Sequence, residues 1–140
     1  ELSRKLNDDI PDIIISYAHD DETFARQLVQ ALQKHGLNTW IDIFDIESGK
    51  SWARQIGEAL DTCKAMVLIV SPSSMKSENV EDEWNYYLDK GRPILPVLYK
   101  ECDIPYRLHK LQYVDFTTLD FDDAMLRMVG DLHGILNKVL

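Results

Sequence analysis

The sequence predicts an α/β domain: a five-stranded parallel sheet with helices packed on both of its faces. Three observations predict it. Short, nearly unbroken apolar runs recur along the chain, Ile13-Ile14-Ile15 and Ala65 to Val70 being the clearest, and strands buried on both faces read that way. Between these runs lie segments whose apolar residues repeat at helical spacing. The length of 140 residues suits one compact domain and no second one.

A polar lead, residues 1–10, is expected to precede a domain filling residues 11–140. Asp12 to Ser16 forms the first strand. Asp20 or Asp21 is expected to cap the helix that follows, whose stripe is Phe24, Ala25, Leu28, Val29 and Leu32 and whose stop is His35-Gly36. Asn38 to Ile41 reads as a short second strand, followed by a polar loop from Asp42 to Lys50 and a helix capped by Ser51, with Trp52, Ile56, Ala59 and Leu60 on one side. Ala65 to Val70 is the third strand, broken by Ser71-Pro72-Ser73-Ser74. A helix over roughly Glu78 to Lys90, a strand from Pro93 to Leu98 bending near Pro96, and a brief strand from Gln112 to Val114 come next. Phe121, Ala124, Met125, Met128, Val129, Leu132, Ile135 and Leu136 mark a closing amphipathic helix. Strands alternating with helices imply right-handed βαβ units. The expected architecture is flavodoxin-like and three-layered, with strand order 2-1-3-4-5.

The formal charge of −9 argues against nucleic acid or an anionic membrane as partner of the surface as a whole. Cys63 and Cys102 make no metal spacing and no disulfide framework, which favours a reducing, cytoplasmic setting. No apolar run is long enough to span a bilayer and no signal-peptide pattern opens the chain. The chain starts at Glu1 without a methionine, and is expected to be one piece of a larger protein.

Two families fit this outline, and chemistry separates them. A response-regulator receiver needs an aspartate at the end of the third strand to accept phosphate; here the strand ends in Val70-Ser71. The sequence instead resembles the TIR (Toll/interleukin-1 receptor-like) domain family, bacterial type, along nearly its whole length. Asp12-Ile13-Ile14-Ile15-Ser16-Tyr17 is similar to the family's first box. Trp40-Ile41-Asp42 with Ile46-Glu47-Ser48-Gly49-Lys50 resembles its second strand and BB loop, and Leu68-Ile69-Val70-Ser71-Pro72 its third strand and exit. Glu83-Trp84, Gly91 and Pro93-Ile94-Leu95-Pro96-Val97 resemble its third helix and fourth strand, and Leu111 to Phe116 its short fifth strand.

In an open parallel sheet a ligand binds beyond the carboxyl ends of the strands where their order reverses. With order 2-1-3-4-5 that crevice lies between strands one and three, rimmed by Ser16-Tyr17-Ala18-His19 and Ser71-Pro72-Ser73. The family resemblance implies what it does. Many TIR domains cleave NAD⁺ between nicotinamide and ribose with one glutamate, eight residues before a glycine that precedes the fourth strand; Glu83 and Gly91 keep that spacing. A single carboxylate suits the chemistry, because nicotinamide leaves neutral and the ribose becomes oxocarbenium-like, needing only a fixed anion. Helical periodicity alone leaves Glu83 and Glu81 on opposite margins of the buried stripe; the family register selects Glu83. NAD⁺ is then the substrate, and no cofactor or metal is expected.

The other candidates are weaker. Ser16, Tyr17, His19, Asp42, Trp52 and Ser71 are expected substrate contacts: His19 and Tyr17 for phosphate or ribose, Trp52 for stacking on a base. Each has a plainer alternative, Trp52 packing under the loop and His19 simply solvated. Trp40 and Cys63 read as packing residues, and Asp20-Asp21-Glu22 as acids at a helix start rather than a metal site. The resemblance also implies self-association through the 42–50 loop and a defence role such as antiphage defence. One departure is Asn79, where many TIR enzymes carry an aromatic four positions before the glutamate. It leaves open a non-catalytic adaptor that makes only homotypic TIR contacts, or a domain that binds a cyclic ADP-ribose-type signal without cleaving it.

Overall fold

The computed structural model describes residues 11–42 and 52–139. Expectations about Glu47, Lys50 and the Ser51 cap lie outside those residues. Five strands form one sheet in the order β2-β1-β3-β4-β5, and every pairing is parallel. The strands are β1 (Ile13–Ser16), β2 (Thr39–Trp40), β3 (Ala65–Val70), β4 (Ile94–Leu98) and β5 (Val114–Asp115). The helices are α1 (Glu22–Lys34), α2 (Trp52–Thr62), α3 (Pro72–Lys76), α4 (Glu78–Asp89), α5 (Tyr106–His109) and α6 (Phe121–Val139).

Strand parity divides the core in two. Ile13 and Ile15 of β1, Val67 and Ile69 of β3, and Leu95 and Val97 of β4 pack with Leu28, Met125, Met128 and Leu132 of α1 and α6. Ile14, Met66, Leu68, Val70 and Leu98 point the other way, against Leu60, Val80, Trp84, Tyr87 and Leu108 of α2, α4 and α5. Alternate residues of a strand face opposite sides, so a strand covered on both sides must be apolar throughout, which is why β3 reads AMVLIV. Each fully buried Val, Leu, Ile or Met there contributes ~1.5–3 kcal/mol.

The expected stops and stripes are in place. Gly36 ends α1 and Gly91 ends α4, each with positive φ (76° and 69°), the left-handed conformation that glycine adopts without a Cβ penalty. Pro96 sits inside β4, opposite Leu68. Tyr99 N–H donates to Val70 on the β3 side, while Leu98 accepts from Phe116 on the β5 side. By parity Pro96 therefore faces β5, whose pairing begins only at Val97, so the missing N–H interrupts no ladder bond.

Three expectations need correction. Asp21 stands at the N-cap of α1 but its side chain makes no capping bond; it is engaged elsewhere, as described below. The segment after β3 does not merely break the strand. Ser71 caps α3 through a capping box with Ser74, with a proline in the first turn, a helix signal made of polar residues that apolar periodicity overlooks. The last strand is Val114–Asp115 rather than Gln112 to Val114. No helix among the described residues is long and apolar enough to cross a membrane.

Candidate active site

The sheet's parity also builds the site. Ser16 is the last residue of β1 and lies on the same side as Ile14, toward α2 and α4. Its hydroxyl, 1% exposed, donates to Glu83 Oε1 at 2.7 Å. Ser77 caps α4 by accepting from Val80 N–H, and the helix then runs past the end of β1. Val80, Trp84 and Tyr87 fill its buried face, which leaves Glu83 half-buried at the margin and Glu81 exposed. Of the two carboxylates that periodicity left open, Glu83 is the one hydrogen-bonded to the end of β1.

Glu83 lines a cleft of about 380 Å³ between α2 and α4. Trp52, Ile56, Gly57 and Asp61 form the α2 wall, and Asn79, Asp82 and Tyr86 share the α4 wall with Glu83. Trp52, at the first turn of α2, is 51% exposed, an aromatic face open to the cleft. Tyr86 donates its hydroxyl to Asp61, tying the two walls together. Burial dominates the electrostatics of Glu83, pushing its carboxyl from 4.5 up to about 7; the Ser16 hydrogen bond opposes this, and the Asp42 and Asp82 carboxylates add to it.

Tyr17 points to the opposite side from Ser16, packs against the α1–α6 core, and donates to Asp42 Oδ1 at 2.5 Å. Burial, then that bond, raises the Tyr17 phenol well above its ordinary value. This pairing fixes the carboxylate just beyond β2 near enough to Glu83 to act on it electrostatically.

Of the expected contacts only Trp52 lines the cleft. Ser16 reaches it through Glu83, Tyr17 and Asp42 pair with each other, and Ser71 and His19 lie elsewhere. Ser71 follows Val70 of β3 and so faces α1, not α4. Its hydroxyl, buried, donates to Asp21 Oδ2 at 2.5 Å, while Ser73 donates to Asp20 at 3.0 Å. The acids at the helix start thus serve as acceptors for the β3–α3 turn. The His19 side chain is 93% exposed and approaches Glu22 at 3.9 Å. Cys63 is buried as a core residue, and its carbonyl accepts from Tyr87 at 2.7 Å and Arg92 at 3.2 Å; Trp40 packs against the α2–α4 core. Asp82 and Tyr86 were not expected at the site and Asn79 entered only as a departure from the family pattern, although Asn79 and Tyr86, four before and three after Glu83, share its helix face.

A family model described as the TIR domain matches residues 13–129. The chain belongs to the TIR domain family. Among curated relatives, the domain is 31% identical over 94 residues to the 2' cyclic ADP-D-ribose synthase BtTIR of Bacteroides thetaiotaomicron, covering 64% of this chain and 33% of that protein. It is 35% identical over 79 residues to the 2' cyclic ADP-D-ribose synthase AbTIR of Acinetobacter baumannii, covering 56% of this chain and 28% of the relative. To the probable 2' cyclic ADP-D-ribose synthase TcpO of Methanobrevibacter olleyae it is 27% identical, across 98% of this chain and 41% of that one. The chain therefore spans less than half the length of each of these relatives.

Among solved structures, the TIR domain of the Toll-related receptor TRR-2 of Hydra magnipapillata superposes with a TM-score of 0.77 at 26% identity, over 86% of this chain and 96% of that one. The TIR domains of the activated Roq1 resistosome share the fold, with a TM-score of 0.71 at 16% identity over 87% of this chain and 99% of theirs.

Proposed function

We propose that this TIR domain cleaves the nicotinamide–ribose bond of NAD⁺, with Glu83 as the catalytic carboxylate. The observation that carries the reading is a half-buried carboxylate held by Ser16 at the edge of a cleft large enough for a nucleotide moiety, with Trp52 open on the facing wall. The names of the three relatives, two 2' cyclic ADP-D-ribose synthases and one probable one, support the same class of chemistry.

In this reading the C1′–nitrogen bond of the nicotinamide riboside breaks, its electron pair leaves with nicotinamide, and the cationic ring departs neutral. Positive charge gathers on the ribose, where the Glu83 carboxylate offsets it. A fixed, desolvated anion does this without reorganising solvent, and loss of one such preorganised group typically costs ~2.7–4 kcal/mol in barrier. Water then adds to C1′ and releases a proton to give ADP-ribose, or a hydroxyl of the same molecule adds to give a cyclic isomer. Glu83, its carboxyl near 7, is suited to take that proton. Asp42 is a candidate for a ribose contact and Trp52 for stacking on a base.

Activation by self-association through the 42–50 loop, in a defence or signalling protein of the cytoplasm, belongs to the same proposal. The test is to mix NAD⁺ with the domain, dilute and then clustered on a scaffold, and follow nicotinamide. Release that rises on clustering supports the reading; none in either state overturns it. The second reading, a non-catalytic adaptor, is favoured by one observation: the cleft presents Asn79 where an aromatic stacking partner is common in the enzymes the sequence resembles.

A further inference from the structure

Sequence position makes Ser16 a candidate substrate contact, but its geometry assigns it another task. The residue is 1% exposed, so its side chain offers a ligand almost no surface. Its hydroxyl hydrogen is committed to Glu83 Oε1 at 2.7 Å. We propose that Ser16 is a positioning residue, whose buried hydroxyl fixes the Glu83 carboxylate at the cleft in one orientation. The catalytic half of this inference rests on the reading of Glu83 proposed above; the positional half does not.

The surroundings of Glu83 show why such a donor is needed. Asp82 on its own helix and Asp61 on α2 share the cleft lining with it, and Tyr86 on α4 is bonded to Asp61. Asp42, beyond β2, adds a further negative charge, and Tyr17 of the β1 exit is bonded to that aspartate rather than to Glu83. Among the described residues lining the cleft there is no lysine, arginine or histidine. Every charged neighbour named here is an acid, and Asp42 and Asp82 both work against a charged Glu83. The Ser16 hydroxyl is the influence that holds its carboxyl down. It occupies one carboxylate oxygen from the strand side, which leaves the other to face a developing cation.

Two readouts on one variant test this. In Ser16→Ala the Glu83 carboxyl, followed by carbon-13 NMR across a pH titration of the resting domain, should shift its midpoint upward by ~1–2 pH units, the worth of a hydrogen bond to a charged group. The acid limb of kcat/KM for nicotinamide release should move upward with it, while release at alkaline pH recovers toward wild type. Ser16→Thr, which keeps the donor, should restore both profiles. An unmoved midpoint overturns the proposal. So does a loss of activity equal at every pH, which would mark Ser16 as a packing residue. A shifted midpoint in a domain that releases no nicotinamide upholds Ser16 as the anchor of Glu83 and counts against the catalytic reading alone. Should Ser16→Ala not fold, Ser16→Cys keeps the volume with a weak donor and should give an intermediate shift; no shift there overturns the proposal equally.

Discussion

Replacing Glu83 with glutamine should stabilise the domain, and the size of the effect follows from its burial. The unfolded chain releases the Glu83 proton near 4.5, whereas the folded domain keeps it until about 7. Between those values the folded state binds more protons than the unfolded one, so stability falls as pH rises. The penalty is absent below 4.5 and complete above about 7. At ~1.4 kcal/mol per tenfold change in proton affinity, the span from 4.5 to about 7 amounts to ~3 kcal/mol. Glutamine keeps the shape and an oxygen that accepts from Ser16, but carries no charge to desolvate. Glu83→Gln should therefore gain up to ~3 kcal/mol at about pH 8 and nothing near pH 4. At ~2–4 °C per kcal/mol for a domain of this size, Tm rises by as much as about 10 °C at the alkaline pH. Thermal denaturation of both proteins at the two pH values measures it. Equal Tm values at about pH 8 would refute the desolvation of Glu83 on which this reasoning stands.

Other outcomes follow from the same structure. Ser71→Ala strips the buried Asp21 of its hydroxyl donor and α3 of its cap; denaturant unfolding should show a loss of ~1–3 kcal/mol. Trp52→Ala removes a half-exposed ring from the cleft wall, so Tm should stay within a few degrees while KM for NAD⁺ rises roughly 2–10-fold, the worth of ~0.5–1.5 kcal/mol of stacking; an unchanged KM would assign the ring to packing. Tyr87→Phe deletes a fully buried hydroxyl bonded to the Cys63 carbonyl, which Arg92 continues to satisfy, so the cost in chemical denaturation should stay near ~1 kcal/mol.

Much of the fold was legible because β1 and β3 are covered on both faces, and such strands leave no choice but unbroken apolar runs. The strand order followed from matching those runs and their helices to a known outline. What escaped was built from other signals. The bounds of β5, expected but shifted, slipped because two residues are too few for periodicity, and α3 is announced by serines and a proline rather than by an apolar stripe. The site was legible in part. Helical spacing left Glu83 and Glu81 open and the family register chose Glu83, while Trp52 was placed beside the loop by its position at the start of α2. Ser71 was misjudged because topology identifies the end of a strand but not the side to which its last residue turns. Parity from Val70 was the overlooked signal, and it sends Ser71 to Asp21. The bond from Ser16 to Glu83 spans two elements far apart in the chain, and no local pattern encodes it.

The most direct test of the account compares wild type with Glu83→Gln, both clustered to the same degree, for nicotinamide released from NAD⁺. The account predicts steady release by the wild type and a loss of at least about a hundredfold in the variant, whose folding and higher Tm exclude collapse as the cause. Equal release by the two proteins would contradict it.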